Sequence, residues 1–449
     1  MERLLRLFAE VRKGEGWTAI LLMLNLFILL TSYLIIKTVR EPLILTGGGA
    51  EIKSYAAAGQ ALLLVLVVPA YGLLASKVNR IKLITWVVLF FISNLIAFYV
   101  MAQFHVPLGV AFFLWVGIFN LLVVAQFWSF ANDIYTPEQG RRLFAIVAFG
   151  GSLGAILGPK IAGWLFQPLG AYALMLVAAA LLGIYILIAN IVNTREQRPA
   201  KASAKEEEAE VPLGKEGGFE LVVGQRYLLL IALLMIALNL VNTTGEFILG
   251  KTVTIEAQQM ASNEAPQVGV TGPTSDLANE ERKKIAETFI GEFYATFFFW
   301  VNLISAAVQL FLVSRIIKYV GVSAALFFLP GVALGGYSLM TFMPVLSYIT
   351  SAKIVENSID YSLQNTCRQA LFLPTSREAK YKAKAAIDTF FVRIGDVLSA
   401  LFVFIGVKFA LDTDAFAAVN VGFALASLFF VIGIARRYKK LMGESETAA

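Results

Sequence analysis

The residues with most chemistry to offer stand between Lys353 and Arg368, in the run KIVENSIDYSLQNTCR. The surrounding stretch, 346–372, is otherwise apolar enough to lie in a membrane. On a helix, Lys353, Glu356, Asn357, Asp360, Gln364, Cys367 and Arg368 fall within an arc of roughly 120°. Ile354, Ile359, Leu363 and Ala370 fall on the opposite face. A charge at the centre of a bilayer costs at least about 2.5 kcal/mol on insertion scales. A stripe of charges is therefore expected to face a water-filled or substrate-filled path rather than lipid.

Other apolar stretches carry charges that would have to meet on the same path. Lys37, Arg40 and Glu41 precede Pro42 at the end of the first apolar run; they read either as interfacial side chains or as a cationic patch. Asp133 closes a polar face with Gln126 and Ser129. Lys160 stands inside the glycine-rich run Gly154–Gly163, whose small residues suit tight helix packing. Glu246 shares a helix face with Asn239, Asn242 and Thr243. Lys384, Asp388, Arg393 and Asp396 follow in the eleventh apolar run, where Arg393 and Asp396 are spaced to neutralise each other. Lys37, Arg40, Lys160, Glu246, Lys353, Lys384 and Arg393 are the expected substrate-binding set. Glu41, Asp133, Glu356, Asp360, Asp388 and Asp396 are the expected coupling or gating set. This mixture of signs suits a polar, negatively charged substrate, with phosphate a good fit for lysine and arginine.

Gly245–Thr252 matches the phosphate-loop pattern G-x-x-x-x-G-K-[ST]. That loop works only between a strand and a helix, and here the match closes an apolar run, so a chance match is expected.

The composition sets what must position these groups. Of 449 residues, 58% are hydrophobic and 15% charged, with mean hydropathy +0.73. About a quarter would be charged in a soluble domain. The chain reads as an all-α polytopic membrane protein. One cysteine excludes a disulfide framework, and one histidine, His105 beside Pro107, argues against a histidine-based metal or catalytic site. No cofactor, no metal and no enzymatic activity are expected. The formal charge of +6 fits basic loops at a membrane face better than nucleic-acid binding.

Twelve runs are long enough to span: 17–41, 54–75, 82–103, 108–134, 143–166, 169–192, 226–250, 284–317, 321–344, 346–372, 383–410 and 413–437. Arg3, Arg6, Arg12 and Lys13 precede the first, which is expected to be a retained helix rather than a cleaved signal. Lysine and arginine follow the even-numbered runs and are missing after the third, fifth and ninth, placing both termini in the cytoplasm by the positive-inside rule. A polar linker at 193–225, with KEEEAE at 205–210, separates a six-helix half at 1–192 from another at 226–449. A polar outer loop is expected from 251 to 283, with Asp276–Ile285 extending the eighth helix.

That layout resembles the major facilitator superfamily. Gly72–Lys82 is similar to that superfamily's G-x-L-A-D-R-x-G-R-x-K loop, with Ser76 for the aspartate and Asn79 for the second glycine. Gly154–Gly163 resembles an antiporter run of the same superfamily. More specifically, the chain resembles the non-mitochondrial ATP/ADP translocases of plastids and intracellular bacteria. The resemblance rests on Ile36–Glu41 with Gly49–Ile52, on Phe127–Asp133, on Asn239–Val241 with Glu246 and Lys251, and on Lys382–Asp388 with Arg393. It implies nucleotide antiport, with Arg40, Glu246 and Lys384 at positions that matter for transport. Arg40 stands where the family commonly has lysine, and Gly395-Asp396-Val397-Leu398 replaces a Gly-Lys-Ser-Gly-Gly-like run.

The expectation is an alternating-access secondary transporter in the bacterial inner membrane. Its partners would be the lipid bilayer and a small, nucleotide-like anion, and it would act as a monomer. A proton-coupled carrier of another polar substrate and a non-transporting membrane sensor are the alternatives.

Overall fold

A computed structural model describes residues 12, 15–75, 78–196, 217–264, 273–376 and 378–448. Arg3, Arg6, Lys13, Ser76, Lys77, the run 205–210, Gly269, Gly272 and Arg377 lie outside the described residues. The described chain is helical, without strands among those residues. Its longer helices are α1 (Glu15–Ala75), α2 (Arg80–Ala102), α3 (Gly109–Ile134) and α4 (Pro137–Glu196). After the short α5 (Gly218–Gly224) come α6 (Arg226–Glu264) and α7 (Pro273–Phe311). The short α8 (Val313–Tyr319) and α9 (Val322–Ala325) precede α10 (Phe328–Phe342), α11 (Leu346–Ile359) and α12 (Asn365–Ala370). The chain ends with α13 (Lys384–Ala386), α14 (Val392–Lys408) and α15 (Thr413–Ala448).

Among the described residues, nine helices are long and apolar enough to cross a membrane. Two of them, α1 and α4, each contain two expected spans. They fold back at Gly49 (φ 73°) and Gly170 (φ 75°), left-handed conformations that glycine adopts without a Cβ clash. The expected tenth span, 346–372, is not among the nine, because its α-helix is interrupted.

The chain divides into two compact units. One comprises Met1–Ile52, Leu62–Ala202 and Thr254–Asn302; the other comprises Lys53–Ala61, Ser203–Val253 and Leu303–Ala449.

In the first unit, the first arm of α1 lies between the two arms of α4. Ideal Cβ atoms on Gly150, Gly154 and Gly158 would meet the carbonyl oxygens of Met23, Phe27 and Thr31 at 2.1, 2.4 and 2.9 Å. Both series advance by four, so these segments run parallel, and only glycine admits the backbones so closely. The second arm of α4 runs antiparallel to α1. Thr18 donates to Glu196 (2.6 Å), the Asn25 amide to the Tyr185 carbonyl (2.8 Å), and Ser32 to the Ala178 carbonyl (3.0 Å). Packing thus explains the glycine-rich run without invoking antiport. Phe91 of α2 meets Trp115 and Phe119 of α3 edge-on, at 5.4 and 5.1 Å between ring centroids, and Phe112, Trp115 and Phe119 stack along α3 at 5.5–5.6 Å.

In the second unit, α6 and α14 run parallel at close range. A Cβ on Gly395 would meet the Ile236 carbonyl oxygen at 2.8 Å, and Thr244 bonds Ser399 at 3.1 Å. The core here gathers Leu228 and Ile231 of α6, Leu363, Cys367 and Leu371, and Ala383 and Ile387.

Three expectations are corrected. The segment from Lys251 is not loop throughout: α6 continues to Glu264, burying Val253, Ala257 and Ala261 at a spacing of four, the repeat of one helix face. Asp276–Ile285 is helical, as expected. Second, Lys160 is not enclosed in the packed face of α4; it lies on an exposed face, off the glycine stripe. Third, the α-helix expected through 346–372 is interrupted. Ser358, Ser362 and Thr366 hydroxyls bond the carbonyls of Ile354, Ser358 and Ser362 (2.6–3.1 Å), which loosens the backbone ladder. A π-helical turn follows at Asp360–Gln364, and its extra residue rotates what comes after. Two further π turns, Ala379–Ala383 and Ile387–Phe391, flank α13.

The glycine packing sets a test. Gly150→Val should lower stability by about 1–3 kcal/mol through overpacking. Gly183→Ala, where a Cβ meets nothing within 4 Å, should change it by no more than about 1 kcal/mol. Thermal melts of the detergent-purified protein compare the two, and equal losses would contradict the proposed α1–α4 packing.

Candidate functional site

A lysine buried in an apolar bundle needs an anion and hydrogen-bond acceptors, and Lys353 of α11 has them. Its side chain has no exposed surface. Nζ donates to Asn242 Oδ1 at 2.8 Å and to Glu356 Oε2 at 3.1 Å. The Tyr337 hydroxyl, from α10, donates to the same Glu356 oxygen at 2.8 Å. One turn further on, Asn357 donates to Glu246 Oε1 at 3.1 Å, and Lys53 Nζ stands 3.7 Å from Glu246 Oε2. Two lysines and two glutamates therefore balance in one network. Gly245 makes it possible, since a Cβ there would lie 1.9 Å from the Tyr337 hydroxyl and 3.0 Å from Lys353 Nζ.

Gly245 thus has a packing reason that accounts for the first position of the phosphate-loop match. The whole match lies within α6, where its amides belong to the helix, as the chance reading expected. Lys251 Nζ reaches the Leu411 carbonyl at 3.4 Å and lies over the Phe416 ring at 5.6 Å.

Farther along the second unit, the eleventh-run charges separate into two groups. Asp396 is nearly sealed and accepts from Asn239 (2.7 Å), Thr243 (2.9 Å) and Arg393 (3.0 Å). Its bonds are those of a structural anchor, and its charge is neutralised internally. Asp388 is held differently, with Lys384 Nζ at 3.6 Å and Arg368 Nε at 3.8 Å, all three side chains about 30% exposed. Asp360 is half-buried in its π turn, with no hydrogen bond or ion pair to the described residues.

The first unit holds the rest. Arg40 pairs with the buried Glu41 and lies 4.6 Å over the Phe113 ring. Lys37 Nζ sits 4.3 Å over the Phe298 ring, and Lys160 Nζ 5.3 Å from the Phe299 ring and 5.6 Å from that of Trp164. Asp133 forms an ion pair with Arg80 near the end of α3, and Arg80 also donates to the Ser129 carbonyl at 3.4 Å. His105 is exposed in the turn between α2 and α3, with φ 54°. No metal-holding cluster occurs among the described residues.

Within the second unit the structure brings together Glu246, Lys353 and Glu356, then Lys384 with Asp388, and Arg393 with Asp396. Lys353 and Glu356 meet one another, not an open path. Lys53, Asn242, Tyr337 and Arg368 were missed as site residues. Lys53 had a signal, a lysine beside the Gly49–Ile52 motif, and Arg368 lay on the polar stripe. Tyr337 had none, being one of 15 tyrosines.

The family profile described as Major Facilitator Superfamily matches residues 16–355. The chain belongs to the Major Facilitator Superfamily. It is a multi-pass membrane transporter by fold and family. It is 24% identical over 318 residues to ADP,ATP carrier protein 1 of Chlamydia muridarum, covering 62% of this chain and 54% of the relative. The corresponding carrier of Chlamydia pneumoniae is 22% identical over 347 residues, covering 68% and 59%. The chain thus spans little more than half the length of these curated relatives. These matches agree with the resemblance read from its motifs. Among solved structures, the nucleoside transporter NupG in a mutant form has TM-score 0.64 and 13% identity, covering 92% of this chain and 99% of that one. The peptide-family transporter PepTSo has TM-score 0.63 and 10% identity, covering 94% and 98%. At such identities the likeness concerns the fold alone.

The sealed Lys353–Glu356 pair makes a prediction. Lys353→Met should destabilise by about 3–5 kcal/mol, because it strands a buried carboxylate. The double variant Lys353→Met/Glu356→Gln should recover part of that loss. A double-mutant cycle on thermal melts measures the coupling, and additive losses would argue against a shared buried network.

Proposed function

We propose that the protein is a secondary transporter that exchanges nucleotides, or another phosphorylated organic anion, by alternating access and without hydrolysis. The observation that carries this reading is the likeness to two ADP,ATP carriers, combined with a partly exposed Lys384 at a motif position. Lysine and arginine bind phosphate through charge-assisted hydrogen bonds, which suits Lys384, Arg40 and Arg393 as substrate contacts, with Lys37 and Lys160 adding positive potential. Glu246 and Asp388 pair cations and are suited to release them when substrate arrives. In the arrangement described, Lys353 positions Glu356 rather than touching substrate. The halves 1–192 and 226–449 would carry the alternation, with the termini in the cytoplasm of a bacterial cell.

A second reading, proton-coupled transport of a different polar substrate, is favoured by one observation. Asp360 is half-buried and has no hydrogen bond or ion pair among the described residues, which suits a carboxyl that takes up and releases a proton.

Uptake of labelled ATP into proteoliposomes separates the readings. Exchange predicts uptake only with ADP inside, whereas proton coupling predicts uptake driven by an acid exterior with no internal counter-substrate. Lys384→Ala should abolish exchange while shifting stability by no more than about 1 kcal/mol, the value of a partly exposed pair. Unchanged uptake in that variant would remove Lys384 from the substrate path.

A further inference from the structure

Asp388 and Asp396 differ in a way that charge alone does not explain. Asp396 has three hydrogen bonds of 2.7–3.0 Å. Asp388 sits between two cations and is hydrogen-bonded to neither. The atoms that face each other, Asp388 Oδ1 and Arg368 Nε, are buried and without a hydrogen-bond partner, 3.8 Å apart. Beside them on the helix, one turn before Arg368, stands Gln364. It is 3% exposed, and neither its amide nitrogen nor its oxygen has a partner. Buried polar groups are ordinarily satisfied, so several open ones together mark either strain or a place made for something else. Asp360, on the same face as Gln364 across the π turn, interacts electrostatically with Arg368, which limits the excess positive charge of the empty cluster.

We propose that Arg368, Lys384 and the Gln364 amide form a phosphate subsite that Asp388 fills only loosely when no ligand is present. Arg368 is then the residue that sets the preference for ligands with more phosphate groups. The guanidinium offers a fork of donors to phosphate oxygens, and Arg368 has Nε open while an Nη donates to Asn365 at 2.9 Å. The 3.6 and 3.8 Å separations leave Asp388 attracted but unbonded, so the exchange of carboxylate for phosphate breaks no hydrogen bond there. Asp388 lies in the π turn Ile387–Phe391, a departure from the α-helix of the kind that recurs at functional sites. The inference deepens the phosphorylated-anion reading and rests on it.

The test uses full-length protein in phosphate-free detergent, with calorimetric binding of pyrophosphate, ATP and AMP. Arg368→Gln should weaken pyrophosphate and ATP by roughly 10- to 100-fold, and AMP less, as expected for a lost charged hydrogen bond. Arg368→Gln/Asp388→Asn, which leaves no uncompensated carboxylate, should restore the melting temperature without restoring binding. Recovery of binding in the double variant would make Arg368 a structural partner of Asp388 and overturn the proposal. ATP bound equally by wild type and Arg368→Gln would overturn it while leaving the nucleotide reading intact. Pyrophosphate bound through Arg368, with ATP ignored, would support the subsite and overturn the nucleotide reading. A wild type that takes neither would overturn the subsite outright.

Discussion

The second unit is arranged around an ammonium group with no access to water. A buried ammonium group needs a carboxylate and amide oxygens at hydrogen-bond distance, and each partner of Lys353 comes from a different place in the sequence. Glu356 lies one turn along, Asn242 arrives on α6, and Tyr337 on α10 holds the shared carboxylate. Gly245 must lack a side chain for these helices to close. A single buried charge therefore fixes the register of three helices, and the Glu246–Lys53 pair extends that balance by one more turn.

Around that neutral centre, ionic groups fall into two kinds. Asp396 is saturated by Asn239, Thr243 and Arg393, so it serves to join α6 to α14. Asp388 is placed near two cations without bonding either, and the neighbouring Gln364 amide is open. Saturated groups hold a structure still; unsaturated ones leave interaction energy available to a ligand. The distinction lies in distance, 2.7–3.0 Å around Asp396 against 3.6 and 3.8 Å around Asp388, and not in residue type.

This is also where reading from sequence runs out. The all-α membrane class was legible because 58% of residues are hydrophobic and the apolar runs are long. The Arg393–Asp396 pair was legible because three residues make nearly one helical turn. The partition of 346–372 was not. Hydroxyls at Ser358, Ser362 and Thr366 draw on backbone carbonyls, a π turn opens, and the segment no longer turns at a uniform 100° per residue. Lys160 was misplaced for a different reason: the glycines around it signal a tight face, but only those spaced by four lie on it. Tyr337 reaches Glu356 across a contact that no local pattern encodes. In the loop after the second span, where Ser76 replaces an aspartate, Arg80 takes its carboxylate from Asp133 instead.

The embrace of α1 by both arms of α4 bears on how the chain is made. Asn25 and Ser32 are polar groups on an apolar helix, yet their carbonyl partners, on Tyr185 and Ala178, are synthesised some 150 residues later. At a synthesis rate of about 5–20 residues per second, that gap is on the order of ten to thirty seconds. During that time the first helix has unmatched amide and hydroxyl groups in or beside lipid, where such groups are held only weakly. The packing of the first unit, which also takes in Thr254–Asn302, therefore waits on segments made long after its first helix.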